Sequence, residues 1–444
     1  MGACCSTQVK YKGRRHDEDD LDEKEEEGQQ EDLTTIGHGG AIVRLQGSSS
    51  YTSMYTRKGK KGINQDAMTV WENFMGKKNV FFCGVFDGHG PSGHQVARYV
   101  CDTLPFKLSS VISMSQPNGC KGVAAGKSSG KDDSSGINKE SDQEESSHKE
   151  IFSSWEASLI KAFEESDEDL CLEESLDSYC SGTTAVTIIK QDEHLIISNL
   201  GDSRAILCTR DNENQLVPIQ LTVDLKPSIP SEAERILRCG GRVFAMDEEP
   251  NVPRVWMPKQ NCPGLAMARA FGDFCLKHHG LSSIPEVSYR RLTSKDEFVV
   301  LATDGVWDVL TNNEVIRIVA SVKKQSMAAK ILVYYAVQAW RTKYPGSKID
   351  DCAVVCLFLK KRPSLSRSLS DMSKHRGSHL DIADSNISKG KKTEEGETVI
   401  NCDITVDPKA LDELNRVNAY MKPSRLGSLS RRKTSKDFGG TEAK

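Results

Sequence analysis

The stretch Val80-Phe81-Phe82-Cys83-Gly84-Val85-Phe86-Asp87-Gly88-His89-Gly90 decides the fold. Its apolar part is too short for a helix and predicts a buried strand over 80–86, which delivers Asp87 to the point where the chain leaves the core. A near copy follows at 298–308, where the run Phe298–Thr303 precedes Asp304-Gly305-Val306-Trp307-Asp308. Carboxylates at strand ends on a rigid sheet can meet in space and bind hard divalent cations. The two stretches together predict a metal site.

The overall composition is that of a globular protein with no nucleic-acid partner. The 444 residues are 37% hydrophobic and 27% charged, and 59 basic against 63 acidic residues give a net charge of −4. No apolar run reaches the length of a transmembrane helix, and the N-terminus lacks the apolar core of a secretory signal. The 14 cysteines are scattered without paired CxxC spacing. This usage indicates a reducing, intracellular compartment.

The first six residues, Met-Gly-Ala-Cys-Cys-Ser, match the N-myristoylation pattern with Gly2 as the acceptor. One myristoyl chain binds membranes only marginally, so Cys4 and Cys5 are expected to carry a second acyl group. The sequence therefore predicts a lipid anchor that holds the protein at the cytoplasmic face of the plasma membrane. The alternative is an unmodified N-terminus and a protein of the cytoplasm or nucleus.

Composition divides the chain into three parts. Residues 1–36 are predicted to form a lipidated, acidic, disordered tail, because their run of like charges repels itself and cannot bury a core. Residues 37–360 are predicted to form one folded domain, with a Ser/Gly/Lys/Glu-rich disordered insert at 113–150. Residues 361–444, rich in Ser, Lys and Arg, are predicted to be a mostly disordered tail.

Patterning within the domain predicts an α+β fold with antiparallel sheets. Thr183–Lys190 and Leu195–Leu200 flank a polar turn and predict a hairpin. Ser231–Glu234 has the spacing of a capping box, for a helix that ends at Gly240-Gly241. Helical spacing also marks three longer segments: Pro91–Leu104, Ile151–Leu172 and Ser326–Tyr344. Strands in meanders and helices in pairs are typical of this fold class.

Acidic residues recur beside the apolar strands. A single Asp-Gly pair is more often simple turn chemistry, but a whole set of such sites is not explained as turns. Oxygen ligands without a Cys/His cluster indicate Mg²⁺ or Mn²⁺ and not zinc. The set consists of Asp66, Asp87, Asp202, Asp273, Asp304, Asp308 and the pair Asp350-Asp351.

At this point the chain resembles a known family. Its motifs match, in order and spacing, those of the protein phosphatase 2C family, the metal-dependent serine/threonine phosphatases, and the plant members are the most similar. The resemblance covers about residues 37 to 360. It rests on Lys61…Asp66, Val85–Gly90, Ser181–Ala185, Gly201–Arg204, Leu265–Asp273, Ala302–Asp308 and Asp350–Val355.

The resemblance implies an α-β-β-α sandwich, two antiparallel sheets flanked by helix pairs, with a metal cleft at one edge. It implies that Asp87 bridges two ions, that the Gly88 carbonyl completes one site, and that Asp304 and Asp350 bind the second. Asp351 stands where the family has Asn, so either carboxylate of that pair remains a candidate ligand.

Four further residues receive roles from the resemblance. Asp66 would hold a water on the metal, and Asp202 and Asp308 would form a third, weaker metal site. His89 would give a proton to the leaving alkoxide.

The cation that binds phosphate is implied at Lys61, with Lys60 as a substitute. As a lysine it supplies a point charge and not a bidentate fork. Arg269 is expected to be structural, paired with a carboxylate near the site.

The function implied is that of a protein serine/threonine phosphatase that acts on phosphorylated proteins in kinase signalling at a membrane. A water activated by two Mg²⁺ or Mn²⁺ ions, with a third ion as an option, would attack phosphorus in line. We expect a monomer. The alternative is a catalytically inactive, membrane-attached scaffold on the same fold.

Overall fold

The computed structural model describes residues 34–36, 42–44, 47–48, 51–115 and 139–360. The predicted lipid acceptors and the C-terminal tail lie outside these ranges. Within them, no helix is both long enough and apolar enough to cross a bilayer.

The first sheet carries the strand that leads to Asp87. In the described chain it has nine strands, and all its recorded pairings are antiparallel. The main path runs β1-β2-β5-β6-β8-β9-β16, and the short strands β7 and β15 join it beside β6. The bounds are β1 Thr34–Ile36, β2 Ile42–Arg44, β5 Asp66–Glu72, β6 Val80–His89, β7 Gly182–Thr183, β8 Ala185–Gln191, β9 His194–Leu200, β15 Phe271–Gly272 and β16 Glu286–Arg291.

The second sheet carries the near copy of that strand. Among the described residues six strands follow the order β11-β10-β17-β18-β4-β3, again with antiparallel pairings. Their bounds are β3 Gly47–Ser48, β4 Thr52–Arg57, β10 Arg204–Arg210, β11 Leu216–Gln220, β17 Asp296–Ala302 and β18 Cys352–Phe358. A small antiparallel sheet stands apart, built from β12 Arg242–Ala245, β13 Pro253–Trp256 and β14 Pro263–Leu265.

Helices cover the outer faces of the two large sheets. On the first sheet lie α1 Gly93–Ser115 and α2 Lys139–Leu172, and on the second lie α6 Asn312–Ser321 and α7 Ala328–Lys343. Shorter helices are α3 Pro230–Arg238, α4 Phe274–Lys277 and α5 Asp304–Trp307. The predicted α-β-β-α sandwich is therefore confirmed.

Burial on both faces explains why the key strands are continuously apolar. In β17, Val299 and Leu301 pack between the sheets, whereas Phe298 and Val300 pack under the helices. Because successive strand side chains point to opposite faces, a sheet covered on both sides buries both sets of side chains, which favours apolar residues at most positions. Polar side chains buried within the strands include Thr187 and Ser198, which hydrogen-bond to each other, and the acidic residues stand where the key strands reach the edge of the core.

The structure corrects the predicted element boundaries in two places. β6 continues through Asp87, Gly88 and His89, so the chain turns only at Gly90. Helix α2 begins at Lys139, inside the segment predicted as a disordered insert, and α1 extends to Ser115. The predicted hairpin is confirmed as β8 and β9.

The capping box predicted at Ser231–Glu234 is wrong. Helix α3 begins at Pro230, whose missing N–H makes it well suited to a first helical position, so Ser231 already lies inside the helix. Glu232, in the first turn of α3, binds two arginines, Arg235 and Arg269. The described chain does form a capping box at Thr311 and Glu314, where α6 begins.

Candidate active site

Both large sheets deliver carboxylates to the same edge of the sandwich. Asp66 and Asp87 are direct neighbours across β5 and β6. Asp304 follows β17 and Asp350 precedes β18, and these two strands are paired in the second sheet. Burial and the neighbouring carboxylates raise the pKa of both Asp87 and Asp304 well above its ordinary value. The four side chains thus form one cluster of repelling negative charge.

Thr303 connects Asp66 to the second sheet. Its hydroxyl donates to Asp66 Oδ2 at 2.8 Å and accepts from the Ala353 backbone N–H at 3.0 Å. The backbone N–H of Thr303 donates to Ala353 O at 3.2 Å. A carboxylate of the first sheet is therefore held by a side chain that is itself anchored to the backbone of the second sheet.

The backbone around Asp87 is fixed by the Ser181–Ala185 motif. The Thr184 N–H donates to Asp87 O at 2.9 Å, and the Thr184 hydroxyl accepts from the Asp87 N–H at 3.0 Å. At Gly88, a Cβ atom would lie 2.4 Å from Gly93 O and 2.6 Å from Gln65 O. Only glycine fits at this position, because both neighbours are backbone atoms.

The structure separates the two candidates of the Asp350-Asp351 pair. Asp351 is buried, and its two carboxylate oxygens accept from the Gly59 N–H at 2.6 Å and the Gln65 N–H at 2.8 Å. Asp350 instead turns towards the other carboxylates and contacts the Lys61 ammonium. Asp350 is therefore placed to act as a ligand, and Asp351 holds the loop that carries Lys61.

Lys61 lies at the mouth of the cluster, with 55% of its side chain exposed. Burial acts to lower its pKa, but Asp350, Asp304 and Asp87 outweigh it, so the pKa of Lys61 is raised. The ammonium is therefore held in its charged form beside the carboxylates. Lys60, the substitute considered above, has an exposed side chain.

His89 is paired with a buried aspartate that the sequence did not connect to it. Its Nε2 lies 2.5 Å from Oδ2 of Asp273, which is 1% exposed. Burial acts to lower the pKa of His89, but the charge of Asp273 raises it by more. Nδ1 is buried beside the Asp87 backbone without a hydrogen bond of normal geometry. The imidazole is thus fixed through one nitrogen and favoured in its protonated form.

Asp202 and Asp308 form the outer part of the cluster, together with Lys226. Asp202 is 3% exposed; its Oδ1 has no hydrogen-bond partner, and its Oδ2 lies 3.5 Å from Lys226 Nζ. Asp308 has an exposed side chain, but desolvation of its carboxyl within the cluster and the charge of Asp202 raise its pKa against the opposing charge of Lys226. Lys226 escaped the sequence reasoning because nothing near it in the chain marks it.

Arg204 ties the Gly201–Arg204 motif to the Asp304–Asp308 segment. Its guanidinium donates to both carboxylate oxygens of Asp224, at 2.9 and 2.6 Å, and lies 5.1 Å from the centre of the Trp307 ring. The indole N–H of Trp307 donates to Ala302 O at 2.7 Å. At Gly305, a Cβ atom would lie 1.8 Å from Asp351 O.

Arg269 is structural, as predicted. It binds both carboxylate oxygens of Glu232, at 2.6 and 3.0 Å, and Glu232 is 3% exposed. Because burial alone would raise the pKa of Glu232, its lowered pKa reflects the two arginines around it.

The donor set fits a hard divalent cation. All its candidate ligands are oxygens, and such ligands favour magnesium or manganese. The clustered carboxylates repel one another, and Oδ1 of Asp202 is buried without a hydrogen-bond partner. A bound cation would supply the positive charge that offsets both effects. Within the described ranges, no three His, Cys, Asp or Glu side chains are already arranged as a complete ligand set.

Comparison with known proteins identifies the family. Residues 53–343 match the family model described as Protein phosphatase 2C. A rice protein (Oryza sativa subsp. japonica) named "Probable protein phosphatase 2C 73" is 48% identical over 97% of this chain and 96% of its own. An Arabidopsis thaliana protein, "Probable protein phosphatase 2C 65", is 51% identical over 84% of this chain and 93% of its own.

A solved structure shows the same fold. The serine-threonine phosphatase 2C from Toxoplasma gondii superposes with a TM-score of 0.60 at 23% identity, covering 72% of this chain and 99% of that one. The family match and the plant relatives decide membership. The chain belongs to the protein phosphatase 2C family.

Proposed function

We propose that this protein serine/threonine phosphatase acts through two divalent cations held by Asp87, the Gly88 carbonyl, Asp304 and Asp350. The observation that carries the proposal is the convergence of carboxylates from two sheets at one edge, with the Lys61 ammonium beside them. When bound, Mg²⁺ or Mn²⁺ would lower the pKa of a water and offset charge on the phosphoryl group. Asp66, held by Thr303, would orient that water through a hydrogen bond.

Lys61 is proposed to bind the phosphate of the substrate. Its side chain is 55% exposed and its ammonium is charged, so it can turn from Asp350 to a phosphoryl oxygen at the mouth of the site. As a single point charge it would attract the phosphate without fixing its orientation. Orientation would then depend on the cations.

His89 is proposed to give the proton that a serine or threonine alkoxide needs on leaving. The paired Asp273 raises the pKa of His89 against the opposing effect of burial, which favours the protonated ring. Nε2 is engaged by Asp273 and Nδ1 is buried, so the transfer would require the ring to expose one of these nitrogens in the substrate complex. Catalytic hydrogen bonds often form fully only in the substrate complex.

The experiment that tests the proposed function is phosphate release from a phosphothreonine peptide by the purified full-length chain. We expect release with Mg²⁺ or Mn²⁺ and none in excess EDTA, with recovery when the metal is restored. Full turnover by metal-free protein would contradict the proposal. No release with any divalent metal, from protein that is folded by circular dichroism, would instead support the inactive-scaffold alternative.

We also propose that the chain is attached to the cytoplasmic face of the plasma membrane through Gly2, Cys4 and Cys5. The support is the sequence pattern alone, since these residues lie outside the described ranges. In cell fractionation, Gly2→Ala should move the protein to the soluble fraction. Cys4→Ser with Cys5→Ser should leave it exchanging between membrane and cytosol. Peptide dephosphorylation in solution should be unchanged, and a Gly2→Ala protein that stays with membranes would refute the lipid anchor.

A further inference from the structure

Lys226 occupies the outer part of the carboxylate cluster. Its ammonium nitrogen lies 3.5 Å from Asp202 Oδ2, and its side chain is 40% exposed. Lys226 is therefore a second cation beside the cluster, in contact with Asp202 as Lys61 is with Asp350.

The backbone that carries Lys226 is tightly held. The Leu225 N–H donates to Gly201 O at 2.9 Å, and the Ala268 N–H donates to Leu225 O at 2.8 Å. Leu225 is 1% exposed, and the preceding Asp224 is held by both arms of Arg204. The lysine thus emerges next to Asp202 from a rigid base, and its position is set by the same motif that sets Asp202.

The Asp202 carboxylate has room for a second positive partner. Its Oδ1 is buried and unpartnered, while Oδ2 already faces the ammonium. A divalent cation shared by Asp202 and Asp308 would therefore lie within a few ångström of Lys226 Nζ. Like charges at such a distance repel strongly in a partly buried site.

We propose that Lys226 takes the place of a third divalent cation at Asp202 and Asp308, so that a third ion enters only by displacing the ammonium. This inference depends on the proposed metal function of the neighbouring carboxylates. It concerns the number of divalent cations that this chain binds. It predicts that the third cation binds weakly because the Lys226 ammonium occupies its place.

The test is the binding of Mn²⁺ to the full-length chain, measured by calorimetry and by the electron paramagnetic resonance signal of free Mn²⁺. Lys226→Met should lower the Kd of the weakest site by about tenfold or more, because a repelling unit charge is removed. The matched control is Lys107→Met, which removes the same charge from a surface pair with Asp169 and should leave all Mn²⁺ affinities unchanged. Lys226→Gln repeats the test with a polar side chain.

The outcomes separate this inference from the proposed function. If wild-type protein binds two Mn²⁺ ions and Lys226→Met binds the third no more tightly, Lys226 does not exclude an ion. The same conclusion follows if Lys226→Met and Lys226→Gln change only the KM for a phosphopeptide, since Lys226 would then contact substrate. If folded wild-type protein binds no Mn²⁺ at all, the proposed metal function fails and this inference fails with it.

Discussion

The two Asp-Gly segments that supply the site are near copies in sequence, yet the structure holds them in different ways. The first, Asp87-Gly88, stays within strand β6 and is fixed by polar contacts, from Thr184 and from the His89–Asp273 pair. The second, Asp304-Gly305, opens the short helix α5 and is fixed by indoles. Trp307 donates to Ala302 O at 2.7 Å and Trp340 donates to Gly305 O at 2.6 Å.

The difference separates chemistry from support. The polar segment contains groups that can move protons, so changes there should alter the reaction. The aromatic segment lies against the core under α7, and changes to its indole contacts, as opposed to its carboxylate, should alter stability first. The predictions below test this contrast.

The largest effect should come from the ligand carboxylates themselves, in both segments alike. Asp87→Asn and Asp304→Asn each remove a negative charge from the cluster and should reduce turnover of a phosphothreonine peptide by about a thousandfold or more. Circular dichroism should show an intact fold. Near-normal turnover by either variant would show that the carboxylate is not a ligand.

His89→Ala should slow hydrolysis of the phosphothreonine peptide by about a hundredfold, the usual contribution of a general acid. The p-nitrophenolate leaving group needs no proton, so hydrolysis of p-nitrophenyl phosphate should fall far less. Kinetics on both substrates, for the wild type and the variant, give the ratio of the rate loss on the phosphopeptide to the rate loss on p-nitrophenyl phosphate. Equal losses would mean that His89 only supports the Asp87-Gly88 backbone.

Asp273→Asn should show the same substrate-dependent loss at a smaller scale, about tenfold on the phosphopeptide. Asp273 has a φ of 50°, and asparagine tolerates this left-handed conformation well, so the backbone should be preserved. The control is Asp167→Asn, which removes a carboxylate that binds the Gly272 N–H and Lys277 but not His89. If Asp167→Asn lowered the phosphopeptide rate relative to the p-nitrophenyl phosphate rate as much as Asp273→Asn does, Asp273 would have no specific role.

The smallest effect on turnover should come from the aromatic segment. Trp340→Phe removes the bond to Gly305 O and should lower the free energy of unfolding by about 1–2 kcal/mol, while activity at saturating metal stays within about threefold. Trp256→Phe is the matched control, since it removes an indole bond to Phe244 O in the small sheet. Denaturant unfolding and peptide kinetics compare the two. If Trp340→Phe lost much of its activity while its free energy of unfolding stayed unchanged, the indole contacts would not be primarily stabilising, contrary to this prediction.

The sequence predicted both buried strands because their signal is local, although β6 ends three residues later than predicted. Apolar runs that end in Asp-Gly reveal both the buried strand and the exit of the chain from the core, so the positions of Asp87 and Asp304 followed directly. The α-β-β-α architecture came from the resemblance, and the structure confirmed it.

The partners of those residues could not be predicted, because each contact joins distant parts of the chain. Nothing around Asp273 indicates that it meets His89, and nothing around Lys226 indicates that it meets Asp202. The capping box failed for a local reason: Pro230 takes the first helical position, so Ser231 lies inside α3 and cannot be its N-cap.

The division of the proposed ligands between two sheets has a thermodynamic consequence. Asp66 and Asp87 belong to the first sheet, whereas Asp304 and Asp350 flank adjacent strands of the second. A cation bound by both pairs would act as a non-covalent cross-link between the layers, and it would bind the native state and not the unfolded chain. By mass action, free metal at a hundred times its Kd would add about 2.7 kcal/mol to the free energy of unfolding. The melting temperature of this chain should therefore rise with the concentration of Mg²⁺ or Mn²⁺, which makes its thermal stability a measure of divalent cation supply.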